Sequence, residues 1–257
     1  MTDVLVCIKR VPDASSEVVL TADGQSVDGR FAGFTMSTHE ECAVELAVQV
    51  TAADGGQATA LTLGDADAVE QLRAALAVGF TAATHVVADS QRFGPADVAR
   101  EIAAVVRDHE AAGRSHDLIL LGNDAADSGD FQVGIRLAYE LGRPVVNGVT
   151  NVSVADGVVT ASGAGTDGYE TYRVPLPAVV TILEGGVEPR YPTVPGRMKA
   201  KKVPIEERDP AGAPVGPSRV KLALPPAAPS NVQILGKGAD AASAVVDVLE
   251  ELGVVAR

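Results

Sequence analysis

Short apolar runs alternate with stretches of helical period through roughly the first 145 residues. Residues 4–9, Val-Leu-Val-Cys-Ile-Lys, form a nearly continuous apolar run suited to a strand buried on both faces. Ser37 followed by Glu40 three places on reads as a capping box, opening a helix that reaches about residue 50. Residues 58–63 predict the next strand, ending at Gly64. Within 67–78, Val69, Leu72 and Leu76 fall at helical spacing, and Gly79 sits where a left-handed cap is expected. The alternation continues with a strand at 85–88 and a helix over 95–112, with Pro95 near its start and Gly113 past its end. An apolar strand at 117–121 and a helix over 131–141, closing at Gly142, complete the series. Serial βα units of this kind call for a doubly wound, mostly parallel α/β sheet covered on both faces. Its ligand site is expected beyond the carboxyl ends of the strands, near a switch in strand order.

The rhythm changes after about residue 145. Residues 149–154, a turn at Asp156 and Gly157, then 158–161 and 169–174 predict an antiparallel appendage, followed by an apolar strand at 177–183. Residues 204–230 read as a Pro/Ala/Gly-rich linker. A last amphipathic helix over 238–252 carries Val245, Val248, Leu249 and Leu252. From the pattern alone that helix either packs on another chain or folds back on its own sheet. The expected division is a nucleotide-binding α/β domain over 1–203 and an extended C-terminal arm over 204–257.

Residues 188–202 break both periods. Three prolines, Tyr191 and Met198 share this segment with Arg197, Lys199, Lys201 and Lys202, on a chain of formal net charge -13. Each proline removes an N–H donor and pushes the preceding residue towards extended geometry, so no regular helix is expected here. The segment reads either as a solvated connector or as a surface built to dock another protein. The acidic balance disfavours nucleic-acid binding, which needs an extended basic face. No apolar run is long enough to span a bilayer, and no secretory signal pattern opens the chain, so a cytoplasmic protein is expected. Cys7 and Cys42 lack metal-ligand spacing, and His39, His85, His109 and His116 show no i,i+4 pairing. No metal site and no catalytic residue set is therefore expected.

Residues 122–134 follow an apolar strand and run into a helix, a position where backbone N–H groups can hold a phosphate. Gly122, Gly129 and Gly134 would allow close main-chain approach. The segment is neither a GK[ST] loop nor GxGxxG. Asp124, Asp127 and Asp130 are expected to cap turn amides or to accept from ribose hydroxyls.

Taken together, these segments resemble the β subunit of electron transfer flavoproteins over almost the whole chain. The resemblance is carried by residues 6–13 (Val-Cys-Ile-Lys-Arg-Val-Pro-Asp), by Met36 with 41–45, by 120–134, and by 176–180 leading into 188–202. It implies a Rossmann-like, adenine-nucleotide-hydrolase-like fold and a heterodimer with an α subunit that holds the redox-active FAD. It further implies a structural AMP in this chain, contacted at Cys7, Ser37, Thr38, His39, Glu40 and Leu63. The remaining implied contacts are Gly122, Asn123, Asp124, Ala125, Ala126, Asp127, Ser128, Gly129, Asp130, Phe131, Gln132 and Val133. Residues 186–203 would be a recognition loop for flavoprotein dehydrogenases such as acyl-CoA dehydrogenases. Its implied docking residues are Tyr191, Val194, Pro195, Arg197, Met198, Lys199 and Lys202, with Val194 as the buried anchor. The turn from Val11 to Ala14 would face the flavin, and the C-terminal helix would pack on the partner subunit.

Some positions depart from that pattern. Val194 is smaller than the leucine common in the family, and Ala164 stands where some members have a glutamate at the dehydrogenase interface. Phe131 and Val133 replace hydrogen-bonding side chains, which shifts phosphate binding onto backbone amides. Two other readings stay open: a bifurcating-type subunit with a second FAD that reacts with NADH, and a stand-alone nucleotide-binding module of the universal-stress type.

Overall fold

The computed structural model of the chain describes residues 1–13, 15, 17–216, 219–226 and 232–255. Ala14, and residues 217–218 and 227–231 of the expected linker, lie outside the described residues. The elements run β1 Val4–Cys7, β2 Val11–Pro12, β3 Phe34–Thr35, α1 Thr38–Asp54, β4 Ala58–Gly64, α2 Val69–Val78, β5 Ala82–Val87, α3 Pro95–Ala111 and β6 Leu118–Gly122. They continue with α4 Val133–Leu141, β7 Val145–Val149, β8 Asn151–Ala155, β9 Val158–Gly165, β10 Gly168–Pro175, β11 Ala178–Ile182, α5 Val194–Ala200, β12 Glu206–Arg208 and α6 Ala242–Glu251.

Seven strands form one sheet in the order β12-β5-β4-β1-β6-β11-β7, every neighbouring pair parallel. Strand order reverses beside β1: β4 and β5 build outward on one side, β6 and β11 on the other. Alternation along each strand feeds two cores. Val4, Val6, Leu118 and Leu120 meet α1 and α2 on one face. Leu5, Cys7, Ile119 and Leu121 meet α3 and α4 on the other. Both faces of the central strands are thus buried, which is why they read as unbroken apolar runs. β8, β9 and β10 form the expected antiparallel appendage, with Val152, Val159 and Ala161 joined to the first core.

Two parts of the chain depart from expectation. Residues 188–202 do contain a helix, α5, capped by the Thr193 side chain, which accepts from the Gly196 amide. Pro189 and Pro192 precede it, and Pro195 sits in its first turn, where the N–H has no helical partner to lose. The expected linker also contributes a strand: Glu206–Arg208 pairs with Thr84–Val86 at the sheet edge. Beyond β12 the chain lies along α3. Buried Glu101 accepts from the amides of Ala211 (2.6 Å) and Gly212 (3.2 Å). Buried Asp97 accepts from Val215 (3.0 Å) and Gly216 (2.9 Å). The first compact unit accordingly runs from Met1 to Leu222, past the boundary expected at 203.

β12 also brings Glu206 within 3.3 Å of His109 Nε2, while His109 Nδ1 lies 2.8 Å from His116 Nε2. Burial pushes His116 down to about 4, helped by the neighbouring His109, so that imidazole is neutral at pH 7. Two histidines that show no pairing in the sequence are therefore adjacent in the fold. The second unit, residues 223–257, contains α6, whose Val245 and Val246 are exposed, as is Leu252 just past its end. Among the described residues, no helix is long and apolar enough to cross a membrane.

Candidate functional site

A cavity opens at the carboxyl ends of β1, β4 and β6, beside the reversal in strand order. Its apolar lining is made by Cys7, Leu61, Leu63 and Leu121 from the strands and by Phe93, Pro95, Val98 and Ile102 from α3 and the turn before it. Its polar lining is made by Lys9, Glu40, Ser90, Asn123, Asp124, Asp130 and Gln132. The strands end here because Gly122 lets the chain turn hard against α1: a Cβ at that position would lie 2.9 Å from Glu40 Cγ and 3.2 Å from His39 Cβ. Asn123 is then held from two sides, its amide donating to Ile182 O (2.8 Å) and its Oδ1 accepting from Thr181 Oγ1 (2.8 Å). The chain folds over in a turn, with the Ser128 and Gly129 amides donating to Ala125 O. Phe131 takes a left-handed backbone, φ 52°, a conformation that costs a bulky residue about 1–3 kcal/mol. Gly134 lets α4 approach the sheet, since a Cβ there would meet Thr181 Cγ2 at 2.3 Å.

The charges around the cavity are arranged in pairs. Glu40 is buried at the start of α1 and accepts from the Lys9 amide (2.8 Å), the Ser37 amide (3.0 Å) and Ser37 Oγ (3.1 Å). Burial nevertheless raises its carboxyl to about 7, because three donors do not fully replace water around a carboxylate. Burial likewise pushes the Cys7 thiol far up, with the nearby Glu40 adding to the effect, so Cys7 is a wall and not a nucleophile. Lys9 Nζ lies 2.6 Å from Asp127 Oδ1, and His39 Nδ1 lies 2.7 Å from Asp124 Oδ1. Among the residues that line the cavity, Lys9 is the one cation.

The fold thus brings Cys7, Glu40, Leu63, Gly122, Asn123, Asp124, Ala125, Ser128, Asp130, Phe131, Gln132 and Val133 together around one cavity. Ser37, Thr38, His39, Ala126, Asp127 and Gly129 do not line it; Thr38, Ala126 and Gly129 are exposed, and Thr38 borders a separate cavity with Glu41 and Tyr191. Asp127 and Asp124, expected either to cap turn amides or to accept from ribose hydroxyls, each face a basic side chain, Lys9 and His39. Sequence reasoning missed Lys9, Leu61, Ser90, Phe93, Pro95, Val98 and Ile102. Lys9 sits two places after Cys7 at the end of the first strand, where strand-end side chains face a switch-point crevice, so its position carried a usable signal.

The second constellation is α5 and the residues before it. Its rear is fixed to the fold. Arg190 grips buried Glu45 through two guanidinium contacts of 2.7 and 2.8 Å. Arg73 Nη1 donates to Ala200 O (2.5 Å) and Val203 O (2.6 Å), closing the end of the helix. Gly196 presses on α2, where a Cβ would come 2.3 Å from Ala77 O, and Ala200 is buried. The front is bare: Tyr191, Val194 and Met198 are 91%, 73% and 62% exposed, a stripe of uncovered apolar surface. Pro195, Arg197, Lys199, Lys201 and Lys202 are exposed beside it. Among the described residues, those four cations form no ion pair.

Residues 30–213 match the family model described as the electron transfer flavoprotein domain. The chain belongs to the electron transfer flavoprotein β-subunit family. An electron transfer flavoprotein subunit beta from Syntrophomonas wolfei is 34% identical over 236 residues, covering 90% of this chain and 89% of the relative. One from Bacillus subtilis is 32% identical over 254 residues, covering 96% and 97%. The acryloyl-CoA reductase electron transfer subunit gamma of Anaerotignum propionicum is 28% identical over 270 residues, covering 98% and 99%. The flavoprotein-domain match takes in the start of α1, the 122–132 turn, α5 and the β12 edge strand.

Proposed function

We propose that this chain works as one half of a two-subunit electron carrier, holding AMP in the cavity and presenting α5 to flavoprotein dehydrogenases. The flavin that carries the electrons is FAD on an α subunit. The isoalloxazine of that FAD supplies the redox chemistry, so this chain contributes position and recognition and no acid, base or nucleophile. The observation that carries the reading is a cavity lined both by apolar side chains of the second core and by polar side chains that include a single lysine. The apolar side chains suit a purine ring, and the polar ones suit a ribose phosphate. Asn123, Gln132 and Asp130 would meet the ribose, while Lys9 and the amides before α4 would meet the phosphate.

The uncovered stripe of α5 supports the docking role, with Val194 as anchor and the free cations steering an acidic partner. The exposed apolar residues of α6 support contact of the second unit with the α subunit. The reading is tested by co-expressing the chain with an α subunit and identifying the released nucleotides. One FAD and one AMP per heterodimer are expected. Two FAD per heterodimer would favour the bifurcating-type subunit instead. A stable flavin-free homodimer without adenylate would refute the electron-carrier assembly in favour of a stand-alone nucleotide-binding module.

A further inference from the structure

The charge cluster next to the cavity extends beyond Lys9 and Asp127. Asp127, which is mostly buried, faces two cations: Lys9 Nζ at 2.6 Å and Arg219 Nη2 at 3.7 Å. Lys9 belongs to the cavity wall. Arg219 belongs to the stretch 219–222 at the end of the first unit, far along the chain from the site. That stretch is tied down by few bonds. The Arg219 amide donates to Gln91 O (3.4 Å), and its Nη1 donates to Gln25 O (2.9 Å). Gln25 Nε2 returns a bond to Val220 O (2.8 Å), and the Leu222 amide donates to Gly24 O (2.7 Å). Gln91 is next to Ser90, which lines the cavity. Residues 219–222 therefore hold on to the turn at Gln91, next to the pocket, and to the turn at Gly24 and Gln25.

We propose that Asp127 is an exchangeable counter-ion: a nucleotide phosphate entering the cavity draws Lys9 away from it, Asp127 turns to Arg219, and residues 219–222 are fastened in place. The argument is one of charge conservation in a poorly solvated place. Lys9 is the sole cation lining the cavity and already serves Asp127 at short range. An incoming dianion competes for that ammonium, and a mostly buried carboxylate cannot be left without a partner except at considerable cost. Arg219 stands nearby at a distance that leaves its best contact unmade. Filling the pocket then stiffens the stretch that leads directly into the second unit. This inference rests on the cavity being a nucleotide site.

The test uses the full chain in its complex with the α subunit, stripped of adenylate, with AMP and adenosine as probes. Calorimetry gives the two affinities, and amide hydrogen exchange follows residues 219–222 with and without AMP. AMP is expected to slow exchange there in the unaltered protein and to do so no longer in Asp127→Asn or Arg219→Gln. Lys9→Met is expected to lower the preference for AMP over adenosine by about tenfold, the worth of one charge-assisted contact, while adenosine still binds. AMP binding that leaves exchange at 219–222 unchanged, or an undiminished AMP preference in Lys9→Met, overturns the exchange of partners and leaves the nucleotide reading standing. Absence of AMP and adenosine binding by the unaltered complex overturns both.

Discussion

The cavity and α5 solve opposite problems with the same kinds of residue. In the cavity, two of the charged groups are partnered in advance, Glu40 by three donors and Lys9 by Asp127, while buried Asp124 Oδ1 lies 2.7 Å from His39 Nδ1 without forming a hydrogen bond. Its apolar residues belong to the second core. On α5 the partnered residues are all at the back, Arg190 with Glu45 and Arg73 with the helix end, while the front keeps apolar side chains and cations uncovered. A resident ligand would be served by a site whose main charges are already held in place. A visiting protein is served by a rigid element whose contact surface is left unsatisfied until the encounter. Rigidity is common to both sites; what differs is where the unsatisfied surface is placed.

That contrast predicts separable defects. The largest is expected from paired glycine substitutions. Gly196→Val would drive a side chain into the α2 backbone and lift α5, lowering dehydrogenase-dependent flavin reduction by roughly tenfold or more with adenylate content retained. Gly122→Ala would push against Glu40 and empty the cavity with docking retained, at a cost of about 1–3 kcal/mol in stability. Stopped-flow reduction and nucleotide extraction on both heterodimers would decide the matter; loss of both properties in either variant would merge the two sites into one.

A smaller effect is expected at the exposed anchor. Val194→Glu should slow electron transfer from a dehydrogenase by roughly tenfold, and Val194→Ala by only about threefold, since a valine loses little area on truncation. Neither should alter flavin or adenylate content. Equal rates for all three proteins would remove Val194 from the docking surface.

The smallest and most selective difference is in pH. Glu40 is held near 7, so it is mostly neutral at pH 6.5 and mostly ionised at pH 8. An anionic ligand should bind a few-fold more tightly at the lower pH, and Glu40→Gln should flatten that dependence. The linked stability follows the same sign. Between the ordinary carboxyl range and about 7 the native state keeps a proton that the unfolded chain has lost. Glu40 therefore favours the fold on the acid side and ceases to do so as pH rises through 7. The front of α5 carries no carboxyl or imidazole, so docking should not share this profile. Calorimetric titration at the two pH values, beside stopped-flow rates, would show whether it does.

Much of this architecture was legible in the residue pattern because both faces of the central strands are buried. Unbroken apolar runs such as Leu118–Leu121 announce such strands, and the capping pair Ser37 and Glu40 announces α1. The elements that escaped lack those signals. β12 is Glu-Glu-Arg at a sheet edge, held by backbone pairing and side-chain charge with no apolar face. α5 was hidden by prolines that end up ahead of the helix or in its tolerant first turn. Part of the cavity wall escaped because Val98 and Ile102 look like ordinary helix-core positions and Phe93 lies in the turn before that helix; only the sheet's reversal opens a cavity beside them. Asp97 and Glu101 gave no signal in the pattern, because the amides they accept from lie more than a hundred residues away.

Those two acids have an evolutionary consequence. They grasp peptide amides, so the hold on Ala211 and Val215 does not depend on which side chain those positions carry, whereas Gly216 must stay small because a Cβ there would lie 2.9 Å from Asp97 Oδ2. Imino acids are excluded from every gripped position, because they bring no amide hydrogen. The chain already obeys this: Pro214 falls in the gap between the two gripped pairs and Pro210 just ahead of the first, stiffening the tether where nothing needs to be donated.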